Sequence, residues 1–238
     1  MIDMHLDADG KFIIPSHIKN IRLDIGLSYC APNSTIWLND NPETFVIGIE
    51  ANKYAVDKIM SGGFIAHQRN LRFDYPHPNF ILLNIALDDV QSKTKKPFYH
   101  MNGDVGVSSL LKPTKLLENT IAELSDVDAY PLSYIMSKID WNRFEHLELI
   151  KIDTQGKDLD IIKSAGSYLD KIVYLNCEIN TFNYYENNPT PEECDTYLIE
   201  NGFIAVLDGS LVDGEVVDRT YINKKHIELK HKINYFVL

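Results

Sequence analysis

The feature that most constrains the fold of this chain is a series of short apolar, β-rich runs separated by stretches long enough to hold a helix. This alternation is typical of βαβ crossover units, which place parallel strands in one sheet. Several runs are apolar almost throughout, as strands covered by helices on both faces are. The sequence therefore predicts an α/β fold with a doubly wound, mostly parallel sheet. The predicted strands are Ile21–Ile25, Phe45–Glu50, Phe80–Leu87, Leu147–Asp153, Ile172–Ile179 and Phe203–Leu207.

Helices and a final hairpin complete the pattern. Helices are predicted over Ala51–Met60, Lys157–Ala165 and Thr190–Asn201, the last with proline and two glutamates in its first turn. The runs Phe203–Leu207 and Arg219–Ile222, on either side of the turn-rich stretch Asp208–Gly214, predict a hairpin and hence an antiparallel C-terminal strand. The stretch from Asp88 to Asp128 is interpreted as irregular, of the kind that forms binding loops or lids.

Length and composition indicate one globular domain. The 238 residues suit a single domain over residues 1–238, with a motif-bearing core at about 20–223 and a C-terminal extension over 224–238. No window is apolar for the ~20 residues of a membrane span. The first residues are acidic where a secretory signal is basic, so a cytoplasmic location is expected.

Charge and cysteine content exclude some classes of function. A net charge of −11 opposes binding to phosphate backbones, so a nucleic acid partner is disfavoured. Cys30, Cys177 and Cys194 lie far apart and match neither a paired metal spacing nor a disulfide framework. They are interpreted as reduced thiols.

Acidic residues stand at the ends of four predicted strands: Asp24, Glu50, Asp153 and Glu178. Ligands of open α/β sheets bind at the carboxyl ends of the strands, where these side chains would converge. Gly26 follows the first strand, and Glu50 ends the second about 25 residues later. A glycine turn and an acid at this spacing fit a nucleoside whose ribose hydroxyls the acid accepts.

The chain also resembles the FkbM-type methyltransferases from about Arg22 to Asn223. The most specific stretch is LIKIDTQGKDLDIIKSAG, which begins at Leu149. Shorter matching stretches are LDIGLS, VIGIEAN, NIALDD, the SSLL at Ser108–Leu111, LNCEIN, ENGF and the closing segment Tyr221–Lys224. The resemblance implies a class I, Rossmann-like methyltransferase fold that uses S-adenosyl-L-methionine.

The resemblance also implies residue roles. Asp24 and Gly26 would line the methionine side of the cofactor, Glu50 would hold the ribose, and Ala86, Leu87 and Asp88 would border the adenine. Leu27, Ser28 and Ala51 are also expected to bind the cofactor. Asp153 and Glu178 would face the acceptor. The chain departs from the family at three positions: Cys30 replaces a common second glycine, and Gln155 and Asn180 stand where the family has Glu and His.

Methyl transfer to a hydroxyl needs alignment and a means of removing the hydroxyl proton. Asp153 is the first candidate base or metal ligand, although it could instead cap the following helix. Glu178 could join it in holding a divalent cation such as Mg²⁺. His100 is a second candidate base, and the aromatic residues Phe182, Tyr184 and Tyr185 could pack against a sugar.

The sequence thus predicts an O-methyltransferase whose acceptor is a small polar molecule, a sugar in a glycan or in a glycosylated metabolite. Two alternatives stay open. An NAD-dependent oxidoreductase shares the glycine turn and the acid, but the full GxGxxG pattern is absent. A non-catalytic interaction module with the same fold is the other alternative. The oligomeric state is left open.

Overall fold

The computed structural model describes residues 2–62, 64–66, 71–102, 105–117, 120–180, 183–208 and 216–230. The strands are β1 (Asn20–Ile25), β2 (Thr44–Ile49), β3 (Phe64–Ala66), β4 (Leu71–Phe73), β5 (Phe80–Leu83), β6 (Ala86–Leu87), β7 (Thr94–Met101), β8 (Ile121–Tyr130), β9 (Leu147–Ile152), β10 (Ile172–Asn180), β11 (Phe203–Asp208) and β12 (Val216–Asn223). The α-helices are α1 (Pro32–Asp40), α2 (Lys53–Met60), α3 (Leu132–Ser137), α4 (Asp158–Lys163) and α5 (Pro191–Glu200).

Seven strands form the main sheet in the order β11-β12-β10-β9-β1-β2-β5. The pairs among β5, β2, β1, β9 and β10 are all parallel, whereas β12 runs antiparallel to both β10 and β11. The chain begins in the middle of the sheet and winds outward in both directions. The predicted doubly wound sheet with an antiparallel C-terminal strand is confirmed.

Two apolar clusters cover the two faces of this sheet. Along β1, residues Ile21, Leu23 and Ile25 pack into one cluster. Val46 of β2 points the other way and packs with Ile36 of α1 in the second. All six residues of β2 and of β9 are buried, as in strands that are covered on both faces.

The structure corrects the predicted third strand. The run from Phe80 to Leu87 is not one strand but divides at Asn84. The Asn84 amide donates to the carbonyl oxygens of Glu50 (2.9 Å) and Ala51 (3.1 Å). These bonds stabilise a bend in the chain, after which β6 pairs with β8 in a separate three-stranded sheet.

The prediction that Asp88–Asp128 is irregular is wrong for the two strands β7 and β8. They form a long antiparallel hairpin from the pair Thr94–Ala129 to the pair Met101–Ile121.

Helix α1 was not predicted either. The confirmed hairpin of β11 and β12 flanks residues 209–215, so most of the predicted turn lies outside the described residues, as do Phe182 and residues 231–238 of the C-terminal extension. In the part of the chain that the structure describes, no helix is long and apolar enough to cross a membrane.

Candidate active site

A pocket lies at the carboxyl ends of β1, β2 and β9 and is roofed by β7 and the segment after it. Its floor and sides come from the parallel sheet and its roof from the hairpin that follows β6. The lining residues are Ile25, Gly26, Ser28, Ile49, Glu50, Ala51, Ile85, Ala86, Leu87, Phe98, Gly106, Ser108, Leu110, Asp153, Thr154 and Lys157.

Gly26 forms the turn that opens the pocket after β1. Its φ of +77° is in the left-handed region, and a Cβ atom there would lie 1.8 Å from the backbone oxygen of Asp153. The Gly26 amide donates to the carbonyl oxygen of Ile49 at 2.8 Å. Only glycine fits this position, which leaves a cradle of exposed backbone at the junction of three strands.

Glu50 follows β2 directly and presents a buried carboxylate in the pocket wall. Its Oε2 accepts from the Ser28 amide (2.9 Å) and its Oε1 from the Asn52 amide (2.7 Å). Burial raises the pKa of Glu50 to about 7, although these two hydrogen bonds act in the opposite direction. Each oxygen keeps a lone pair, so the carboxylate is oriented to accept from two hydroxyl groups.

Two of the expected cofactor-binding residues, Asp24 and Leu27, do not line the pocket. Asp24 is almost completely buried, and its Oδ2 accepts from the amide (3.0 Å) and hydroxyl (2.5 Å) of Ser34 in the first turn of α1. Leu27 packs in the second apolar cluster. Gly26 and Ser28 do line the pocket. Burial raises the pKa of Asp24 to about 6, and its carboxylate anchors α1 beneath the turn.

Of the three residues expected to border the adenine, only two line the pocket. Ala86 and Leu87 line the pocket, but Asp88 does not. The Asp88 carboxylate pairs with the ammonium groups of Lys157 (2.6 Å) and Lys96 (3.0 Å). Burial opposes ionisation of Asp88, but the two lysines prevail and hold its pKa below the ordinary value.

The candidate acceptor side is a network of carboxylates around Gln155. Its Nε2 donates to Asp153 Oδ1 (3.0 Å) and to Glu178 Oε2 (2.5 Å), and the Lys151 ammonium lies 3.3 Å from Asp153 Oδ2. Burial opposes ionisation of Asp153, but Lys151 and the hydrogen bonds from Glu178 and Gln155 lower its pKa. Burial and the charge of Asp153 raise the pKa of Glu178 well above the ordinary value. The two carboxyl groups are therefore coupled, and Glu178 holds a proton more tightly than Asp153 does.

The residues at Asp153 and Glu178 do not fit the predicted divalent cation. A cation held by both would need the positions that the Gln155 amide and the Lys151 ammonium occupy. Among the described residues, no group of three or more His, Cys, Asp or Glu side chains could hold a metal ion. Asp153 is not the N-cap of α4 either, because Lys157 occupies that position and the Asp153 carboxylate contacts the side chains of Gln155 and Lys151.

The roof of the pocket is tied to its base by hydroxyl groups. Ser109 Oγ donates to the Gln155 carbonyl (2.8 Å), and the hydroxyl of Tyr185 lies 2.6 Å from the Val107 carbonyl and 3.2 Å from Gln155 Oε1. Tyr185 is buried and therefore offers no open ring face to a sugar. His100 is outside the lining set, on β7, with its Nε2 2.7 Å from Ser125 Oγ.

Several lining residues had no predicted role. Thr154 and Lys157 belong to the stretch that carries the family resemblance, and Ser108 and Leu110 to its SSLL segment, so a signal existed for these four. Phe98 and Gly106 lie in the stretch interpreted as irregular. Nothing in their local sequence places them over the ends of β1 and β2.

The main sheet has the strand order and the antiparallel strand of a class I methyltransferase fold. Its pocket lies at the carboxyl ends of the strands, beside a glycine turn and a buried acid. A model of the FkbM methyltransferase domain matches residues 19–205. The chain therefore belongs to the FkbM methyltransferase family, whose members use S-adenosyl-L-methionine.

Solved structures with a similar fold include an FkbM methyltransferase from Methylobacillus flagellatus KT. It is 12% identical, with a TM-score of 0.53, over 87% of this chain and 44% of that one. This chain thus spans less than half of that protein. The magnesium protoporphyrin IX methyltransferase of Synechocystis PCC 6803, with bound S-adenosylmethionine, is 9% identical over 91% of this chain and 73% of that one, with a TM-score of 0.43. No curated protein sequence matches the chain significantly.

Proposed function

We propose that this protein is an S-adenosylmethionine-dependent O-methyltransferase whose acceptor is a hydroxyl of a small polar molecule, a sugar in a glycan or in a glycosylated metabolite. The observation that carries the proposal is the buried Glu50 carboxylate, fixed by two backbone amides in a pocket wall next to Gly26. Two acceptor oxygens in this position suit the vicinal hydroxyls of a ribose. The apolar side of the pocket at Ile85, Ala86 and Leu87 suits a purine ring.

S-adenosylmethionine, when bound, supplies an electrophilic methyl group, so the protein needs no covalent nucleophile. The acceptor hydroxyl must lose its proton, and Asp153 is the residue positioned to receive it. Asp153 lines the pocket and is held ionised by Lys151 and Gln155. A carboxylate offers about four lone-pair sites. Gln155, Lys151 and Glu178 use three, which leaves one for the hydroxyl.

The nature of the acceptor follows from the charge and enclosure of the site. The net charge of −11 and the acidic groups around Asp153 disfavour a polyanion such as RNA. The roof formed by Phe98, Gly106 and Ser108 favours a small group that enters beside it. A neutral polyol such as a sugar meets both conditions.

Titration calorimetry with S-adenosylmethionine and S-adenosylhomocysteine tests the donor assignment. Wild-type protein should bind both ligands. Glu50→Ala should bind them at least about tenfold more weakly, because two hydroxyl contacts are lost. Added magnesium should change neither result. NAD binding in place of these ligands would favour an oxidoreductase.

A second experiment screens acceptors by mass spectrometry for the gain of one methyl group on a sugar. Donor binding without any methyl transfer would favour a non-catalytic module.

A further inference from the structure

Lys157 is the one cationic side chain in the pocket wall among the residues that the structure describes. It follows Gly156 at the start of α4, and its side chain is only 11% exposed. Its ammonium group is 2.6 Å from Asp88 Oδ1 and also pairs with Asp160. Two carboxylates on different elements therefore hold this ammonium in place beside the apolar part of the pocket.

Asp88 is unable to take the role that its place in the sequence suggests. Its Oδ1 accepts from Lys157 and from the Asp89 amide (2.8 Å), and its Oδ2 pairs with Lys96 at 3.0 Å. The side chain does not line the pocket. Of the three charged residues in this cluster, Lys157 is thus the one that lines the pocket.

The chemistry of an ammonium group decides what it can recognise here. It has three protons, of which Asp88 and Asp160 take two. The third can donate to a neutral acceptor. The two carboxylates also offset its charge, so the site does not attract a phosphate. A purine ring lying against Ala86 and Leu87 offers such neutral acceptors in its ring nitrogens.

We propose that Lys157 recognises the adenine ring of the cofactor by donating a hydrogen bond to a ring nitrogen, and that Asp88 and Asp160 are positioning residues for its ammonium. This inference rests on the proposed binding of S-adenosylmethionine. It assigns the polar recognition of the base to a lysine at the start of α4 rather than to the acid after the third strand.

The test compares S-adenosylhomocysteine with its 1-deaza, 3-deaza and 7-deaza analogues by titration calorimetry. In each analogue a C–H group replaces one ring nitrogen. The wild type should bind one of the three about tenfold more weakly than the parent, because a hydrogen bond to a charged donor is lost. Lys157→Met keeps the apolar stem but has no donor, so it should bind the parent and that analogue equally.

Lys96→Met is the matched control, since it removes the other cation at Asp88 but leaves Lys157 in the wall. This variant should keep the wild-type preference for the parent ligand. If the wild type binds the parent and all three analogues equally, the role of Lys157 is overturned while donor binding stays intact. This result does not depend on whether Lys157→Met folds. A folded wild type that binds none of the four would overturn the proposed function, and the inference with it.

Discussion

At the scale of single residues, Glu50 couples ligand binding to pH. Ribose hydroxyls donate to a carboxylate, so the ionised form of Glu50 is the one that binds them. Because burial raises its pKa to about 7, the affinity for S-adenosylhomocysteine should be full above this pH. It should fall about tenfold per pH unit below it. Calorimetric titration at three pH values on either side of neutrality measures this slope.

Glu50→Gln is the control for that slope. The amide cannot ionise, and its Nε2 would oppose one of the amides of Ser28 and Asn52. Binding should be about tenfold weaker or worse and independent of pH in this range. A variant that retained the wild-type slope would show that another group controls the pH dependence.

Gly26→Ala tests the close approach of the first turn to β9. The new methyl group would lie 1.8 Å from the Asp153 backbone oxygen in a left-handed conformation, so we expect a loss of about 3 kcal/mol or more in unfolding free energy. Gly166→Ala is the matched control. Gly166 has a φ of +56° but nothing within 4 Å of its Cβ position, so only the backbone cost of about 1–2 kcal/mol should appear. Urea unfolding measures both, and equal losses would contradict the steric argument.

At the scale of elements, the roof of the pocket depends on a few hydroxyl groups. Tyr185→Phe and Ser109→Ala together remove the bonds that tie Val107 and Ser109 to the region of Gln155. We expect faster amide exchange at Tyr99 and Ser109, which bond to each other across the roof. Ligand affinity should fall several-fold because an open roof must be ordered on binding. Hydrogen exchange with mass spectrometry, with and without S-adenosylhomocysteine, measures this effect; unchanged exchange at the roof would contradict it.

Helix α5 carries its own start signal. Thr190 and Glu193 form a reciprocal capping box, and Pro191 follows the cap. Thr190→Ala should cost about 1 kcal/mol of unfolding free energy, because a backbone amide at the helix start loses its acceptor. Thr196→Ala, an exposed change in the middle of the same helix, should be neutral or slightly stabilising. Thermal unfolding of the two variants measures the difference, and a similar loss in both would contradict the capping role.

How much of the fold could be predicted depended on how local its signals were. The buried strands β2, β9 and β10 were predicted within one residue at each end, because their sequences are mostly apolar. Helix α1 has the sequence PNSTIWLND, poor in helix-forming residues, and it is held through Ser34 by Asp24. Strands β7 and β8 pair across about 35 residues at Thr94 and Ala129. No local pattern reports such a contact.

In the candidate site, too, some residues could be predicted from the sequence and others could not. Gly26, Ser28, Glu50 and Asp153 stand at strand ends, where the topology alone brings them to one pocket. The paired state of Asp88 could not be predicted, because Lys96 and Lys157 reach it from separate elements. The bridging role of Gln155 between Asp153 and Glu178 likewise needs side-chain geometry.

At the scale of the whole molecule, buried acids at the strand ends and at the start of α4 make stability depend on pH. Burial raises the pKa values of Asp24 and Asp158 to about 6 and that of Glu50 to about 7. For each, the folded protein holds its proton more tightly than the unfolded chain does. Stability is therefore greatest below the ordinary values of 3.8 and 4.5 and decreases as the pH rises through the folded values.

Other groups act differently in this range. The lowered pKa of Asp88 costs stability only as the pH falls through and below its ordinary value of 3.8. The pKa values of His5, His77 and His146 are lowered by burial and favour higher pH, but they move less than those of the buried acids. The acids should dominate between about pH 5 and pH 7.5.

The unfolding free energy of the ligand-free protein should consequently fall by about 2 kcal/mol or more from about pH 5 to pH 7.5, since a tenfold change in the affinity of one group for its proton corresponds to about 1.4 kcal/mol. Urea unfolding followed by circular dichroism at intervals across that range measures it. A free energy that is flat or rises would mean that the histidines or the relaxation of the buried acids outweigh their desolvation. A fall would mean that ionising these buried acids destabilises the fold near neutral pH, where an ionised Glu50 is the form that can accept from a ribose.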